Sequence, residues 1–263
     1  REAGVAGPLH VRRVGATKLH SAALDLVKSA ELIPALALFA IGDKLSALSD
    51  LPLTQVTATE VLSQKAAEPK LASVASANLP LEAYSVSRLH VFRTGDGHRE
   101  HYAIEIGNPD LARPVLTRLH SACFTGDVLG SLKCDCGPQL HGALAQMGRE
   151  GAGVLLYLNQ EGRGIGLANK MRVYDLQEQW GDTVEANHQL GFDDDERDFR
   201  VAATLLNELG IKEIRLLTNN PGKVQTLADS GITVTERLPL SVCRNKLNHN
   251  YLNVKAFKSG HIL

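Results

Sequence analysis

Long apolar runs are missing from this sequence. No stretch approaches the ~20 apolar residues that span a bilayer, and the longest, around Ile33–Ile41, contains Pro34. That pattern excludes a helical membrane span, and no membrane partner is expected. An excess of charge is missing too: 28 Lys and Arg stand against 29 Asp and Glu, a net charge of −1. Such a balance gives no bulk attraction to a nucleic-acid polymer or an anionic surface. No internal repeat of solenoid period is present. Cysteine is scarce, with four in 263 residues, which excludes a disulfide-dense secreted scaffold. Clustered thiols in a chain of this kind more often bind metal, so a reducing, cytoplasmic compartment is expected. No secretory signal is visible, but the sequence begins at Arg1 rather than Met. The true N-terminus is therefore expected to be missing, and any targeting segment with it.

Apolar residues make up 44% of the chain, enough for one large core or two smaller ones. Residues 1–86 and 87–263 read differently. The first part is rich in Ala, Leu and Ser, with helical apolar spacing over Ser21–Ala30 that Pro34 limits. Ala66–Pro80, with small residues and two prolines, reads as a linker. The second part alternates strand and helix signals. Pro114–His120, Val154–Leu158, Ile214–Leu217 and Ile232–Val234 read as strands. Pro138–Arg149, Ile165–Gln179 and Asp198–Leu209 read as helices, the first and third stopped by Gly151 and Gly210. Asn219 or Asn220 is placed to cap a helix with Pro221 at its first position, and Gly231 to end it. This predicts an α/β domain, layered α/β/α, with a mostly parallel or mixed sheet.

Three of the four cysteines, Cys123, Cys134 and Cys136, form C-x10-C-x-C. Three thiolates with an open fourth position suit a catalytic zinc, whereas His120 or His141 as a fourth ligand would close the site. The alternative is three buried cysteines without metal. Cys243 is distant in sequence and reads as a core residue. An open zinc lowers the pKa of bound water to about 7 and suits attack on an electron-poor carbon.

Gln160–Gly166 (QEGRGIG) follows an apolar strand and opens a helix. Its glycines allow close approach of backbone to a ligand, and the planar fork of Arg163 suits phosphate or a base edge. The alternative is a tight turn. Thr218–Lys223 (TNNPGK) places a hydroxyl, amides and a lysine at a helix start, where anions bind. The alternative is ordinary capping beside a solvated lysine. The acidic run Asp193–Asp198, broken by Arg197, reads locally as a charged helix start.

Together RLHSACFTGD, SLKCDCGPQL, YLNQEGRGIGLANK, DTVEANHQLGF, DDERDF, RLLTNNPGK and the closing GHIL resemble GTP cyclohydrolase II. They follow that family's order and near-family spacing across residues 88–263. The resemblance implies zinc-dependent hydrolysis of GTP to a diaminopyrimidine ribosylamino phosphate, formate and pyrophosphate, the entry step to riboflavin. It implies zinc on Cys123, Cys134 and Cys136, and GTP contacts from Arg118, Gln139, Glu161, Arg163, Thr183, Thr218 and Lys223. It implies catalytic roles for Tyr174, Asp195 and Arg197, magnesium on the triphosphate, and a homodimer. In the family proposal Arg197 attacks phosphorus and Asp195 takes its proton. A guanidinium is almost never deprotonated, so charge stabilisation is the physically cheaper role for Arg197.

Two features depart from the family pattern. Ala122 stands where the family usually has Glu, and Leu158–Asn159 where it often has a basic pair. They keep open a divergent enzyme acting on another nucleotide. A catalytically silent nucleotide-binding regulator is the other alternative, which the intact catalytic positions oppose. Arg12–Ile41 resembles a decayed piece of 3,4-dihydroxy-2-butanone 4-phosphate synthase, with Gly15-Ala16-Thr17 in place of Gly-His-Thr and no acidic metal loop. Residues 1–86 are expected to be vestigial and without lyase activity.

Overall fold

The structure is a computed structural model that describes residues 15, 17–42, 51–180 and 183–240, without the side chains of 178–180 and 183–185. Ala16, Cys243 and the closing 260–263 segment lie outside the described residues. The chain divides into two compact units, Arg1–Ala67 and Glu68–Leu263. The first contains α1 (Lys18–Ser29) and α2 (Ala58–Ala66). Thr57 caps α2 by accepting from the Glu60 backbone N–H, and Glu60 reaches back to the Thr57 N–H at 2.7 Å, a capping box.

The second unit is built on one seven-stranded mixed sheet: β1 (Leu71–Asn78), β2 (Ser87–Thr94), β3 (Glu100–Gly107), β4 (Val115–Ser121), β5 (Ala152–Leu158), β6 (Glu213–Leu217) and β7 (Thr233–Leu238). Their order is β1-β2-β3-β5-β4-β6-β7. The β1–β2, β2–β3 and β3–β5 pairs are antiparallel; β5–β4, β4–β6 and β6–β7 are parallel. Reading Ala66–Pro80 as a linker is thereby corrected. Leu71 to Asn78 pair with Thr94 to Arg88, and the division falls at Ala67/Glu68 rather than at 86/87. Small residues give weak strand signals, and the partner strand supplies what propensity does not.

Helices cover both faces of the sheet. On one side α4 (Cys136–Glu150) buries Ala143 and Met147, one helical turn apart, against Ile106, Leu116 and Leu155. Gly151, at φ 77°, ends this helix. On the other side α7 (Arg200–Glu208) buries Val201, Ala202, Leu205 and Leu206, and α8 (Pro221–Asp229) adds Leu227, against Leu119, Val154, Leu156 and Ile214. Alternate residues of β5 therefore enter opposite cores, as a strand buried on both faces requires. Each large aliphatic side chain so buried contributes roughly 1.5–3 kcal/mol.

The parallel half positions the site. From β4 the chain crosses through α3 (Phe124–Asp127) and α4 to β5 on one side. It then returns through a 3-10 turn (Glu161–Gly164), α5 (Leu167–Trp180), α6 (Thr183–Gln189) and α7 to β6 on the other side of β4. That reversal opens a crevice beyond the carboxyl ends of these strands, where ligands of open α/β sheets bind.

Candidate active site

A cavity with about 1030 Å³ of empty space, mouth included, occupies that crevice. It is lined by residues that follow β4 (Ser121, Ala122, Cys123), β5 (Glu161, Gly162, Arg163) and β6 (Thr218, Asn219, Asn220). Among the described residues, five cationic side chains line it, Arg118, Arg163, Lys170, Arg197 and Lys223, against the single carboxylate of Glu161. A chain with a net charge of −1 has thus concentrated positive charge in one concavity, which favours a polyanion.

At one wall the three cysteines meet. Their ligand atoms lie within 4.8 Å of one another, with Cys123 Sγ and Cys134 Sγ 3.7 Å apart. Zinc–sulfur bonds of about 2.3 Å at tetrahedral angles put two sulfurs about 3.8 Å apart, so the donor set fits zinc. Room for it depends on Gly126, where a Cβ would fall 2.7 Å from Cys134 Sγ and 3.2 Å from Cys123 Sγ. Neither imidazole joins this group among the described residues. His120 turns Nε2 to Asp127, at 3.0 Å, and His141 is exposed on α4.

The cluster is braced from behind. The buried Asp127 carboxylate accepts from the Cys123 backbone N–H at 3.0 Å, from His120 Nε2 and from the Tyr157 hydroxyl at 2.9 Å. Burial holds His120 below its ordinary pKa, and burial with the Asp127 charge pushes the Tyr157 phenol up. Lys170, 8% exposed, donates to Cys123 Sγ at 3.1 Å, Thr125 Oγ1 at 3.0 Å and Glu161 Oε1 at 2.9 Å. Bonds from the Cys134 and Cys136 thiols, then the Lys170 ammonium, hold Cys123 far below the ordinary thiol range. The Cys123–Cys134 contact pushes Cys134 up. Glu161 also accepts from the Gly162 N–H at 2.7 Å and, through its other oxygen, from the Phe124 N–H at 2.6 Å.

The rest of the lining is rich in cations. Arg118 is buried and donates to the Leu217 carbonyl at 2.9 Å and to Gln139 Oε1. Burial lowers its pKa to about 10, which leaves it charged at neutral pH. Gln139 in turn donates to Asp135, which lies between two of the cysteines, so Arg118 is tied to the thiol cluster. Lys223 is 6% exposed and donates to the Leu119 carbonyl at 2.9 Å, so it is not the solvated lysine of the capping alternative. Asn220 does cap α8, accepting from the Gly222 N–H at 2.9 Å. The Thr218 hydroxyl accepts from the Asn220 N–H at 3.0 Å.

Arg197 grips Asp195 through two nitrogens, at 2.7 and 2.5 Å, and reaches Ser121 Oγ at 3.3 Å. Burial pulls the Asp195 pKa up, but the bonds and charge of Arg197 outweigh it and hold the carboxyl below its usual range. The acidic run is loop rather than helix start, since α7 begins at Arg200.

In the glycine-rich turn, Arg163 has φ +61°, a left-handed conformation that a side chain rarely adopts. At Gly164 the turn makes a close approach to the chain itself. A Cβ on Gly164 would lie 2.8 Å from the Glu196 carbonyl and 3.1 Å from the Arg197 nitrogen. The Glu196 N–H also donates to the Arg163 carbonyl at 3.0 Å, and Arg163 donates to the Asp194 carbonyl at 3.1 Å. The turn thus carries the loop that presents Arg197.

Of the residues the resemblance singled out, Arg118, Gln139, Glu161, Arg163, Tyr174, Arg197, Thr218, Lys223 and the three cysteines line the cavity. Asp195 reaches it through Arg197. The Thr183 side chain lies outside the described residues. Sequence reasoning missed Lys170, Asp127 and Phe199. Lys170 meets Cys123 across 47 residues and Asp127 meets Tyr157 across 30, and Phe199 lies under Lys223 of another helix as well as under its neighbour Arg197; no local spacing announces the long-range contacts.

A family model described as GTP cyclohydrolase II matches residues 72–239. The chain is 54% identical over 190 residues to the GTP cyclohydrolase-2 of Neisseria gonorrhoeae, covering 72% of this chain and 95% of that protein. It is 50% identical over 194 residues to that of Actinobacillus succinogenes, covering 74% and 89%. With the GTP cyclohydrolase-2 of Azospirillum brasilense it shares 46% over 247 residues, 92% of this chain but 64% of that longer protein. Among solved structures, a two-domain 3,4-dihydroxy-2-butanone 4-phosphate synthase from A. baumannii aligns at a TM-score of 0.36 and 18% identity, over 66% of this chain and 40% of that one. That likeness is too slight to build on. The match over the whole sheet, with the thiol cluster and the cation-lined cavity inside it, settles the assignment: the chain belongs to the GTP cyclohydrolase II family of hydrolases.

Proposed function

We infer that this chain converts GTP to formate, pyrophosphate and a diaminopyrimidine ribosylamino phosphate, with the ring opened at the thiol wall and the triphosphate held at the cationic wall. The observation that carries this reading is the lining itself: three convergent thiols and five cations around one cavity. Zinc on Cys123, Cys134 and Cys136, one ion per chain, would supply Lewis acidity and an activated water at the base. Lys170 balances thiolate charge there and orients Glu161. A carboxylate has about four acceptor sites. Three donors already use Glu161, and the remaining site suits the N–H edge of guanine. Tyr174, on the cavity wall, is placed to exchange a proton with the opened ring.

At the phosphate end, Arg118, Arg197 and Lys223 meet the charge that develops on leaving pyrophosphate. The lowered Asp195 pKa makes it a poor proton acceptor. Its bidentate hold on Arg197 favours an orienting role, with Arg197 as a cationic stabiliser rather than a nucleophile. Gln139 and Thr218 orient Arg118 and the turn before α8; Arg163 and Thr183 complete the binding set in this reading. The reading includes magnesium on the triphosphate, a homodimer and a cytoplasmic location. It treats residues 1–67 as without lyase chemistry and the sheet-bearing unit, 68–263, as the catalytic part.

The test is incubation of the metal-replete chain with GTP, with formate and pyrophosphate assayed separately. Equal yields of both are expected. Turnover of another nucleotide in preference to GTP would favour the divergent enzyme that Ala122 allows, and binding without either product the silent regulator.

A further inference from the structure

Phe199 stands directly after the acidic run and is 9% exposed, packed into the core beneath α7. Two cations lie over its ring: the Arg197 guanidinium carbon is 4.9 Å from the centroid and the Lys223 ammonium 5.0 Å. Both distances are within the ~6 Å over which a ring quadrupole attracts a cation. The two cations come from different elements, Arg197 from the loop before α7 and Lys223 from the first turn of α8. Both line the same cavity.

Like charges brought together in a partly buried wall repel, and without substrate each gains by turning away from the other. Asp195 already offsets part of the Arg197 charge, but a further carboxylate between the two cations would repel an incoming phosphate. An aromatic face attracts cations and carries no net charge. We propose that Phe199 is a positioning residue for the polyphosphate of the substrate, holding Arg197 and Lys223 in place before it binds. The proposal rests on the reading of these two cations as phosphate-facing.

Steric and electronic roles separate when the ring is kept and its electrons are withdrawn. Phe199 is replaced by mono-, di-, tri- and pentafluorophenylalanine, which are nearly isosteric, and by Tyr, with thermal melting as the folding control. KM for GTP and binding of inorganic tripolyphosphate are measured on each, beside Arg197→Ala and Lys223→Ala. The expected result is a graded rise in KM, about 10-fold across the fluorinated series, a parallel loss of tripolyphosphate affinity, and near-parent values for Phe199→Tyr. Flat KM and affinity across the series, with Arg197→Ala and Lys223→Ala weakened, would overturn the role of Phe199 alone. Unchanged binding in Arg197→Ala and Lys223→Ala would overturn the reading of the phosphate wall on which it stands.

Discussion

The two halves of the sheet differ in what they do. The parallel half, β5-β4-β6-β7, sends residues of the three loops that build the cavity from the same end of its strands. The antiparallel half, β1-β2-β3, places no residue in the cavity lining. The difference follows from connectivity. A parallel pair requires a crossover, and each crossover returns the chain to the same edge of the sheet with a loop at the carboxyl end. Antiparallel neighbours are joined by short turns and bring no such convergence. The antiparallel strands still matter, because β3 pairs with β5 along Tyr102–Gly107 and completes the cores on both faces.

If the parallel half alone carries the chemistry, removing one thiol has the largest effect. Cys134→Ser should take formate release below detection and bound zinc from about one ion per chain toward none. Metal analysis and a formate assay check this. Retention of stoichiometric zinc by the serine variant would remove Cys134 from the ligand set. Pyrophosphate release would persist in this variant if phosphorus reacts independently of the ring.

Arg197→Ala comes next. Loss of one preorganised charge donor costs about 10²–10³ in rate, so pyrophosphate release should fall by that factor while zinc content is unchanged. Release at the parent rate would return the acidic run to a solvated loop. A smaller effect is expected from Gly164→Ala. Its φ of +93° and a Cβ 2.8 Å from the Glu196 backbone force the turn away from the loop that carries Arg197. A tenfold loss of pyrophosphate release with bound zinc retained would place the damage at the cationic wall. Equal loss of zinc would show that the two walls are not separable.

These effects also mark what was legible beforehand. Helix ends were, because Gly151, Gly210 and Gly231 adopt positive φ and Asn220 caps its own helix; such signals are local. The C-x10-C-x-C spacing was legible as a metal candidate for the same reason. The strand β1 was not, since its small residues carry little pattern and its pairing with β2 is tertiary. Lys170 was hidden because a lysine inside a helix shows nothing in sequence of the thiolate it meets. The glycines of QEGRGIG were visible, but the contact that Gly164 makes within the chain was not. At Gly164 the backbone approached is that of Glu196 and Arg197, and only the fold brings those segments together.

The smallest effect at neutral pH tests the division of the sheet from its other side. His101, on β3, is 1% exposed, and its Nδ1 accepts from the Asn159 N–H at 3.0 Å, at the end of β5. It is the antiparallel residue that anchors the strand end leading into the glycine-rich turn. Burial, and then the nearby Arg99 charge, lower its pKa from 6.5 to about 4. The unfolded chain therefore takes up a proton near pH 6.5 that the folded chain refuses until about pH 4. Its contribution to stability is complete above pH 6.5 and is lost as pH falls toward 4. At 1.36 kcal/mol per unit the loss is about 3 kcal/mol. His101→Asn keeps an acceptor near Nδ1 and does not titrate. It should leave neutral-pH stability within about 1 kcal/mol of the parent and flatten the decline between pH 6.5 and 4, as read by denaturant unfolding across that range. An equally steep decline in both proteins would assign the acid limb to other groups and leave β3 a purely structural neighbour of the site.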